Sequence, residues 1–283
     1  MNIWGLGAAL VELERLGVRP DCYAGTSAGA YLSFVAAVAG APRIKIAAPY
    51  VDLGSVFPIK PVRDSGGFSI WALLRMLTFR GSLGVQDARG ELKKIISERE
   101  FLMYQNSNRP NCYVSTVGLS TGLAYFYNLK TDAANYQEAI DMVEASSRIV
   151  PMVNPIVLRG EYCADGGHRN HNPSEQLLGA EPKIQCLFSL YARPKEGDRE
   201  IPEPQAKAQN WAQRTLKIIE IAHSEVSYSD EKISDLICDL RNIRQIKIHL
   251  PKILTHYYDT NPQRCGQLVR AAQKIAQKLW LPL

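Results

Sequence analysis

The feature that most restricts this chain is Gly25-Thr26-Ser27-Ala28-Gly29, close to its N-terminus. A short apolar run at 21–24 precedes it, and small and apolar residues at 28–38 follow. A G-x-S-x-G stretch between a strand and a helix is a sharp turn that lifts the serine hydroxyl clear of a sheet end. Glycines two residues either side of the serine leave room for strand and helix to pass closely. The helix that follows directs its free N–H groups and positive dipole end at any anion formed there, with the Ala28 N–H nearest. The same residues also suit a plain surface loop, so the rest of the chain must supply the partner that a nucleophile needs.

Around this turn the chain alternates helical and strand patterns. Ile3, Leu6, Leu10 and Leu13 repeat at helical spacing, with Gly17 as the stop. Helices are predicted at 68–79 and 88–98, the second with Asp87 as N-cap. Alternating runs at 112–117 and 124–129, joined through Ser120-Thr121-Gly122, predict a hairpin. A helix is predicted at 136–146. Pro151 and Pro155 then break the chain before a second hairpin at 156–158 and 162–164. Beyond it come a strand at 183–191, helices at 211–227 and 230–241, a strand at 246–250 and a helix at 263–280. Residues 192–210, polar and with three prolines, read as a surface loop or lid. This interleaving predicts an α/β architecture.

Serine is a poor nucleophile until a base takes its proton. A hydrolase triad of the Ser-His-Asp kind would place several strands before its nucleophile, and here there is room for one helix and one strand. His223 falls mid-helix, His249 in a strand and His256 in a tyrosine-rich segment, so each reads as structural or exposed. Asp165 instead follows a predicted strand and precedes Gly166 and Gly167. A carboxylate with an ordinary pKa of about 3.9 is a weak base, but burial raises that value and contact with Ser27 adds proximity. An isolated Asp-Gly-Gly is equally a turn. His168 and His171 have no further convergent ligands for a metal and read as loop residues.

Together, the glycine-flanked Ser27, Asp165-Gly166-Gly167 and the following Asn172-Pro173 resemble the patatin-like phospholipase family. Residues 10–16 with Asp21 resemble its first helix and strand. Ala145-Ser146-Ser147 with Pro151 resembles its pre-aspartate helix and turn, and VSTVGLSTGLAYF its central hairpin. The likeness extends to about residue 190. It implies a three-layer α/β/α sandwich with a mainly parallel central sheet. The catalytic core would be 1–190, with 191–283 a C-terminal helical continuation of the same domain. It further implies a Ser–Asp dyad, in which Ser27 attacks an acyl ester of a phospholipid or similar lipid and Asp165 takes the proton. No cofactor or metal is implied.

One departure stands out. The family carries a G-G-G-x-[RK]-G segment just before its first helix, whose N–H groups form the oxyanion hole. Met1-Asn2 fall where that segment should end, and Gly5 and Gly7 lie inside the helix pattern. The expectation is slow hydrolysis with Ala28 as the remaining donor, or a binding or regulatory module without competent chemistry. A serine acyl enzyme of another kind, such as a Ser-His acyltransferase, would need one of the histidines.

Bulk properties set outer limits. Apolar residues are 46% of the chain and charged residues 22%, which suits a packed core and not a disordered chain. The six cysteines are scattered without a C-x-x-C pair, which favours reduced thiols in a cytosolic setting. No signal peptide is visible, and the longest apolar stretch, 31–42, is too short to span a bilayer. A cytoplasmic protein, with or without peripheral membrane contact, is expected. The net charge of +5 is uneven: from Arg241 onward eight Lys/Arg face one acid, Asp259, so that segment is +7 and the remainder −2. Such a basic end is either a solvated helix face or a surface for anionic membrane, and no nucleic-acid partner is expected. Leu268, Ala272, Ile275 and Leu279 would dock the last helix on the sheet, with Arg270, Lys274 and Lys278 outward.

Overall fold

A computed structural model describes residues 3–51, 53–59, 61, 68–78, 82–195, 211–253 and 261–280. The first helix, α1 (Ile3–Arg15), buries Leu6, Ala9 and Leu13 along one stripe. Gly17 ends its turn at a φ of 97°, a conformation that glycine adopts without a Cβ penalty. Strand β1 (Cys22–Thr26) and helix α2 (Ala28–Ala39) follow directly. α2 is apolar nearly all round and accordingly lies inside the molecule, with Phe34 and Val38 fully buried. Short helices α3 (Pro42–Ala47), α4 (Leu53–Val56), α5 (Ile70–Leu77), α6 (Arg89–Ile95) and α7 (Glu98–Gln105) lead to the centre of the fold.

That centre is β2 (Asn111–Gly118), which has neighbours on both edges. β1 pairs with it in parallel, Cys22 opposite Asn111 and Thr26 opposite Ser115. β3 (Ala124–Asn128) folds back antiparallel along 113–117. After α8 (Tyr136–Ala145), the hairpin of β4 (Ile156–Leu158) and β5 (Glu161–Asp165) joins the sheet, with β5 antiparallel to 116–118. Both hairpins expected from the sequence form, and they make this five-stranded sheet mixed. A second, parallel pair is formed by β6 (Cys186–Tyr191) and β7 (Arg244–His249). Helices α9 (Ser174–Ala180), α10 (Trp211–Leu240) and α11 (Pro262–Trp280) complete the described elements.

Alternation along β2 assigns the two faces. Cys112 and Val114 point into a core with Phe34, Ile140 and Val143 of α2 and α8, while Tyr113 packs with Leu177, Leu178 and Cys238 of α9 and α10. Helices therefore cover both sides of the sheet, as an α/β sandwich requires.

Several local expectations change. The helices expected at 211–227 and 230–241 are one helix, because Ser227 and Tyr228 at the proposed break are buried and no glycine or proline interrupts them. Asp87 is not the N-cap of α6; Ala88 holds that position, and Asp87 Oδ1 accepts the Arg89 N–H at 3.2 Å. The helix expected at 68–79 spans 70–77. α11 docks chiefly on α1, sharing a core with Leu6, Leu13 and Ile248, and not on the larger sheet. Its Arg270, Lys274 and Lys278 are exposed, and so is Leu279. Of the loop expected at 192–210, residues 196–210 lie outside the described residues; Arg193 is buried against Ser227 and Glu231. His256 also lies outside them.

The two glycines around Ser27 are not equivalent. A Cβ on Gly25 would stand 2.2 Å from the backbone carbonyl of Gly29, whereas one on Gly29 would meet nothing within 4 Å. Only Gly25 is required for the close pass of strand and helix. Gly25→Ala should therefore destabilise the protein by about 2–3 kcal/mol. Gly29→Ala should be neutral or stabilising by up to about 1 kcal/mol, since alanine is the better helix former. Urea unfolding of both variants measures the difference.

Candidate active site

The pairing register brings Ser27 and Asp165 together. β1 ends at Thr26 opposite Ser115, and β5 ends at Asp165 opposite Thr116. β3 occupies the other edge of β2 over 113–117, so β1 and β5 share one edge and meet end to end there. Ser27 follows β1 immediately, with φ 56° and ψ −121°, a backbone conformation that side chains rarely adopt. Such strain costs on the order of 1–3 kcal/mol and persists where the surroundings hold it.

The C-terminal end of α8 holds both residues. The Ser27 N–H donates to Ser146 Oγ at 2.9 Å, and the Ser146 hydroxyl donates to the Ser115 carbonyl at 2.6 Å. Two residues on, the Arg148 carbonyl accepts the Asp165 N–H at 3.0 Å. This end is itself anchored by Glu144, which is fully buried and forms an ion pair with Arg148 at 2.8 Å. Glu144 Oε2 also accepts the Tyr31 hydroxyl at 2.6 Å and the Ala88 N–H at 3.1 Å.

Asp165 is buried, at 2% exposure, and its carboxyl lies close enough to the Ser27 side chain for that hydroxyl to favour its charged form. Gly167 N–H donates to Oδ1 at 2.7 Å. Burial dominates and pushes the carboxyl up to about 7, while the Ser27 hydroxyl and the Gly167 N–H pull it partly back. The adjoining glycines are sites of close approach. A Cβ on Gly166 would lie 2.4 Å from the Ser115 carbonyl oxygen; one on Gly167 would lie 2.8 Å from His171 Nδ1 and 2.9 Å from Asp165 Oδ1. Ala30 N–H closes the first turn of α2 on the Ser27 carbonyl at 3.0 Å, and the Ala28 N–H stands free of the helix ladder beside Ser27.

Sequence reasoning missed how His168, His171 and His223 converge. His223 Nε2 lies 3.1 Å from His168 Nδ1, and the His171 ring packs at 6.1 Å from that of His223. Burial holds all three below the ordinary range, His171 at about 4 and His223 at about 3, so they are neutral at pH 7. Asp230 of α10 ties this loop down by accepting the His171 and Asn172 N–H groups at 2.7 and 2.9 Å. Among the described residues no group of three His, Cys, Asp or Glu is arranged to hold a metal ion. The role of Glu144 was missed too: its spacing of four from Arg148 is visible in the sequence but ordinarily marks an exposed helix pair.

Ser27 opens on a cavity of about 1060 Å³ whose wall includes Tyr31, Val56, Phe57, Ser147 and Ile149. The wall is predominantly apolar, and its polar contribution near Ser27 comes from Tyr31, Gln86 and Ser147, which bond to one another.

The patatin-like phospholipase family model matches residues 2–178, and the chain belongs to that family. No curated protein sequence matches it. Among solved structures it is similar to VipD from Legionella pneumophila, with a TM-score of 0.52 at 14% identity. That match covers 99% of this chain and 65% of the VipD chain, so this chain spans about two thirds of its length; the likeness is one of fold.

The raised carboxyl has a consequence for stability. With a folded value of about 7 against about 3.9 unfolded, the native state keeps a proton that the unfolded chain releases across that window. The contribution of Asp165 to stability is thus complete below pH 4 and lost as pH rises through about 7. Asp165→Asn, neutral at every pH, should raise Tm above wild type at pH 8, with the gain shrinking towards pH 4. Thermal unfolding across that range checks it, and an equal Tm difference at all pH values would contradict the buried carboxylate.

Proposed function

We propose that this chain is a serine lipid acyl hydrolase that cleaves acyl esters of the phospholipid or lysophospholipid kind through Ser27 and Asp165. The observation that carries the reading is the meeting of a strained serine and a buried carboxyl at two adjoining strand ends. A free-standing turn serine would have neither the strain nor the partner.

In this reading the ionised Asp165 accepts the Ser27 proton as Oγ attacks the ester carbonyl. The tetrahedral oxyanion faces the Ala28 N–H and the positive end of α2. As the C–O bond breaks, Asp165 returns the proton to the leaving alcohol. Asp165 then takes a proton from water, which attacks the acyl-Ser27 ester; as the ester C–O bond breaks and the fatty acid leaves, Asp165 returns that proton to Ser27 Oγ. Burial brings the base near working pH, where general-base catalysis is most effective. No histidine enters the proton path: His168 and His223 engage one another, and all three are neutral. The apolar wall formed by Val56, Phe57 and Ile149 suits an acyl chain. The exposed Arg270, Lys274 and Lys278 of α11 offer anionic membrane a point of contact that remains separate from the chemistry.

Ser27→Ala and Asp165→Asn should each lower hydrolysis of a p-nitrophenyl acyl ester by at least about 10²–10⁴-fold with the fold intact. His171→Gln should retain turnover in proportion to folded protein. Wild-type rates should rise through pH 7 as Asp165 ionises. Wild-type activity in the Asp165→Asn variant would remove the base from the mechanism, and loss of turnover in His171→Gln at full folding would favour a serine–histidine enzyme. A folded wild type that binds lipid but never turns over would favour a binding module.

A further inference from the structure

Helix α10 has two unlike faces. Ser227, Ser234 and Cys238 are buried on its inner side, Cys238 against Leu177 and Leu178 of α9. His223 and Asp230 share that side and hold His168 and the His171 and Asn172 N–H groups. The exposed residues of the helix, from Arg214 to Leu240, fall instead on one outer stripe about 120° wide at 3.6 residues per turn. That stripe is rich in large apolar side chains. Ile218 is 67% exposed, Leu236 60% and Leu240 77%, and Ile221 and Ile233 flank them. Apolar residues scattered singly over a surface need no explanation, but five on one face of one helix do.

The order of residues along the stripe is symmetric. At steps of three or four its midline reads Ile218, Ala222, Glu225, Ser229, Lys232, Leu236 and Leu240, all exposed. Such spacing is the seam along which two helices pack side by side. Outward from Ser229 in either direction come first a charge and then two apolar residues, and the two charges have opposite sign. Two copies of this stripe laid antiparallel across Ser229 set Ile218 of one opposite Leu240 of the other. They also set the small Ala222 opposite the large Leu236, and Glu225 of each copy beside Lys232 of the other.

Other arrangements fit the same residues poorly. A parallel pair would set Glu225 against Glu225 and Lys232 against Lys232, which repel. An anionic membrane would find no net attraction, because the exposed Arg214 and Lys232 are balanced on the stripe by Glu225 and Asp239.

We propose that the outer face of α10 docks a second copy of this chain, forming an antiparallel helix pair on a two-fold axis at Ser229. A two-fold contact uses the same patch on both copies, so the patch must complement itself, and the reversal of charge about Ser229 meets that condition. The small side chain at the axis lets the two backbones approach. The seam from Ile218 to Leu240 runs for about 33 Å at a rise of 1.5 Å per residue. A single helix pair stands at the low end of interface sizes, so the dimer is weak and reversible, with a Kd on the order of micromolar. No described residue of α10 lines the cavity at Ser27, so the dimer leaves that cavity open and is independent of the chemistry there.

Sedimentation velocity of the full chain between about 2 and 200 µM should show a reversible monomer–dimer equilibrium. Glu225→Lys and Lys232→Glu each place like charges at both pairing points and should weaken self-association at least about tenfold. Mixing these two variants sets a doubly basic stripe against a doubly acidic one, so a heterodimer should form with about the wild-type affinity. Circular dichroism and Tm of each variant alone check its fold, and damage to the helix itself would not be repaired by mixing. In the Ser229→Cys variant, oxidation with diamide should give a covalent dimer whose bridged peptides join position 229 to itself. A monomer throughout the concentration range would overturn the proposal and give the stripe another occupant. A dimer that both charge variants leave unchanged would overturn it too, as would two weakened variants that do not recover on mixing, or a dimer without the bridge at 229.

Discussion

Ser146 makes two short hydrogen bonds on which the arrangement of the site depends. Its oxygen accepts the Ser27 N–H and its hydrogen goes to the Ser115 carbonyl, so one side chain ties the strained turn to the central strand. Each such bond contributes about 1 kcal/mol, comparable with the strain that it restrains. Arg148, two residues further, fixes the backbone of Asp165 in the same way. The end of α8 therefore spans the junction where β1 and β5 meet on β2, and it sets the relative position of nucleophile and base. Glu144 makes that end rigid, because a buried carboxylate this fully bonded would be costly to displace.

A second tension lies in Asp165 itself. Burial makes its carboxylate more basic and also less favourable to ionise, so the feature that prepares it for proton transfer costs stability as pH rises. Two donors, the Ser27 hydroxyl and the Gly167 N–H, limit that cost without abolishing it. The neighbouring imidazoles behave in the opposite sense, since burial keeps them uncharged and leaves no positive charge to stabilise the carboxylate from that side.

Much of this was legible in the sequence because it is local. The strand–turn–helix around Ser27, the hairpins at β2–β3 and β4–β5, and Asp165 at a strand end followed by glycines all carry short-range signals. What escaped notice depends on register and on long-range packing. That Gly25 is needed and Gly29 is not follows from which way each Cβ would point, a property that the symmetric pattern hides. The continuity of α10 through Tyr228 and Ser229 was obscured because the Ser227-Tyr228-Ser229 run resembles a boundary when the burial of Ser227 and Tyr228 is unknown. The histidine cluster joins His168 and His171 to His223, more than fifty residues further along, and no periodicity announces it. The separation of β6 and β7 from the larger sheet is likewise invisible to a reading that finds each strand but not its neighbours.

The pairing of Ser27 with Asp165 is most directly tested by covalent labelling with an alkyl fluorophosphonate, followed by intact-mass and peptide mass spectrometry. In the proposed chemistry Ser27 Oγ attacks phosphorus, fluoride leaves and Asp165 takes the serine proton. A single adduct should form on Ser27, at a rate that rises through pH 7 and is lost in Asp165→Asn. An adduct on another residue, or labelling of Ser27 at an undiminished rate in Asp165→Asn, would contradict the account.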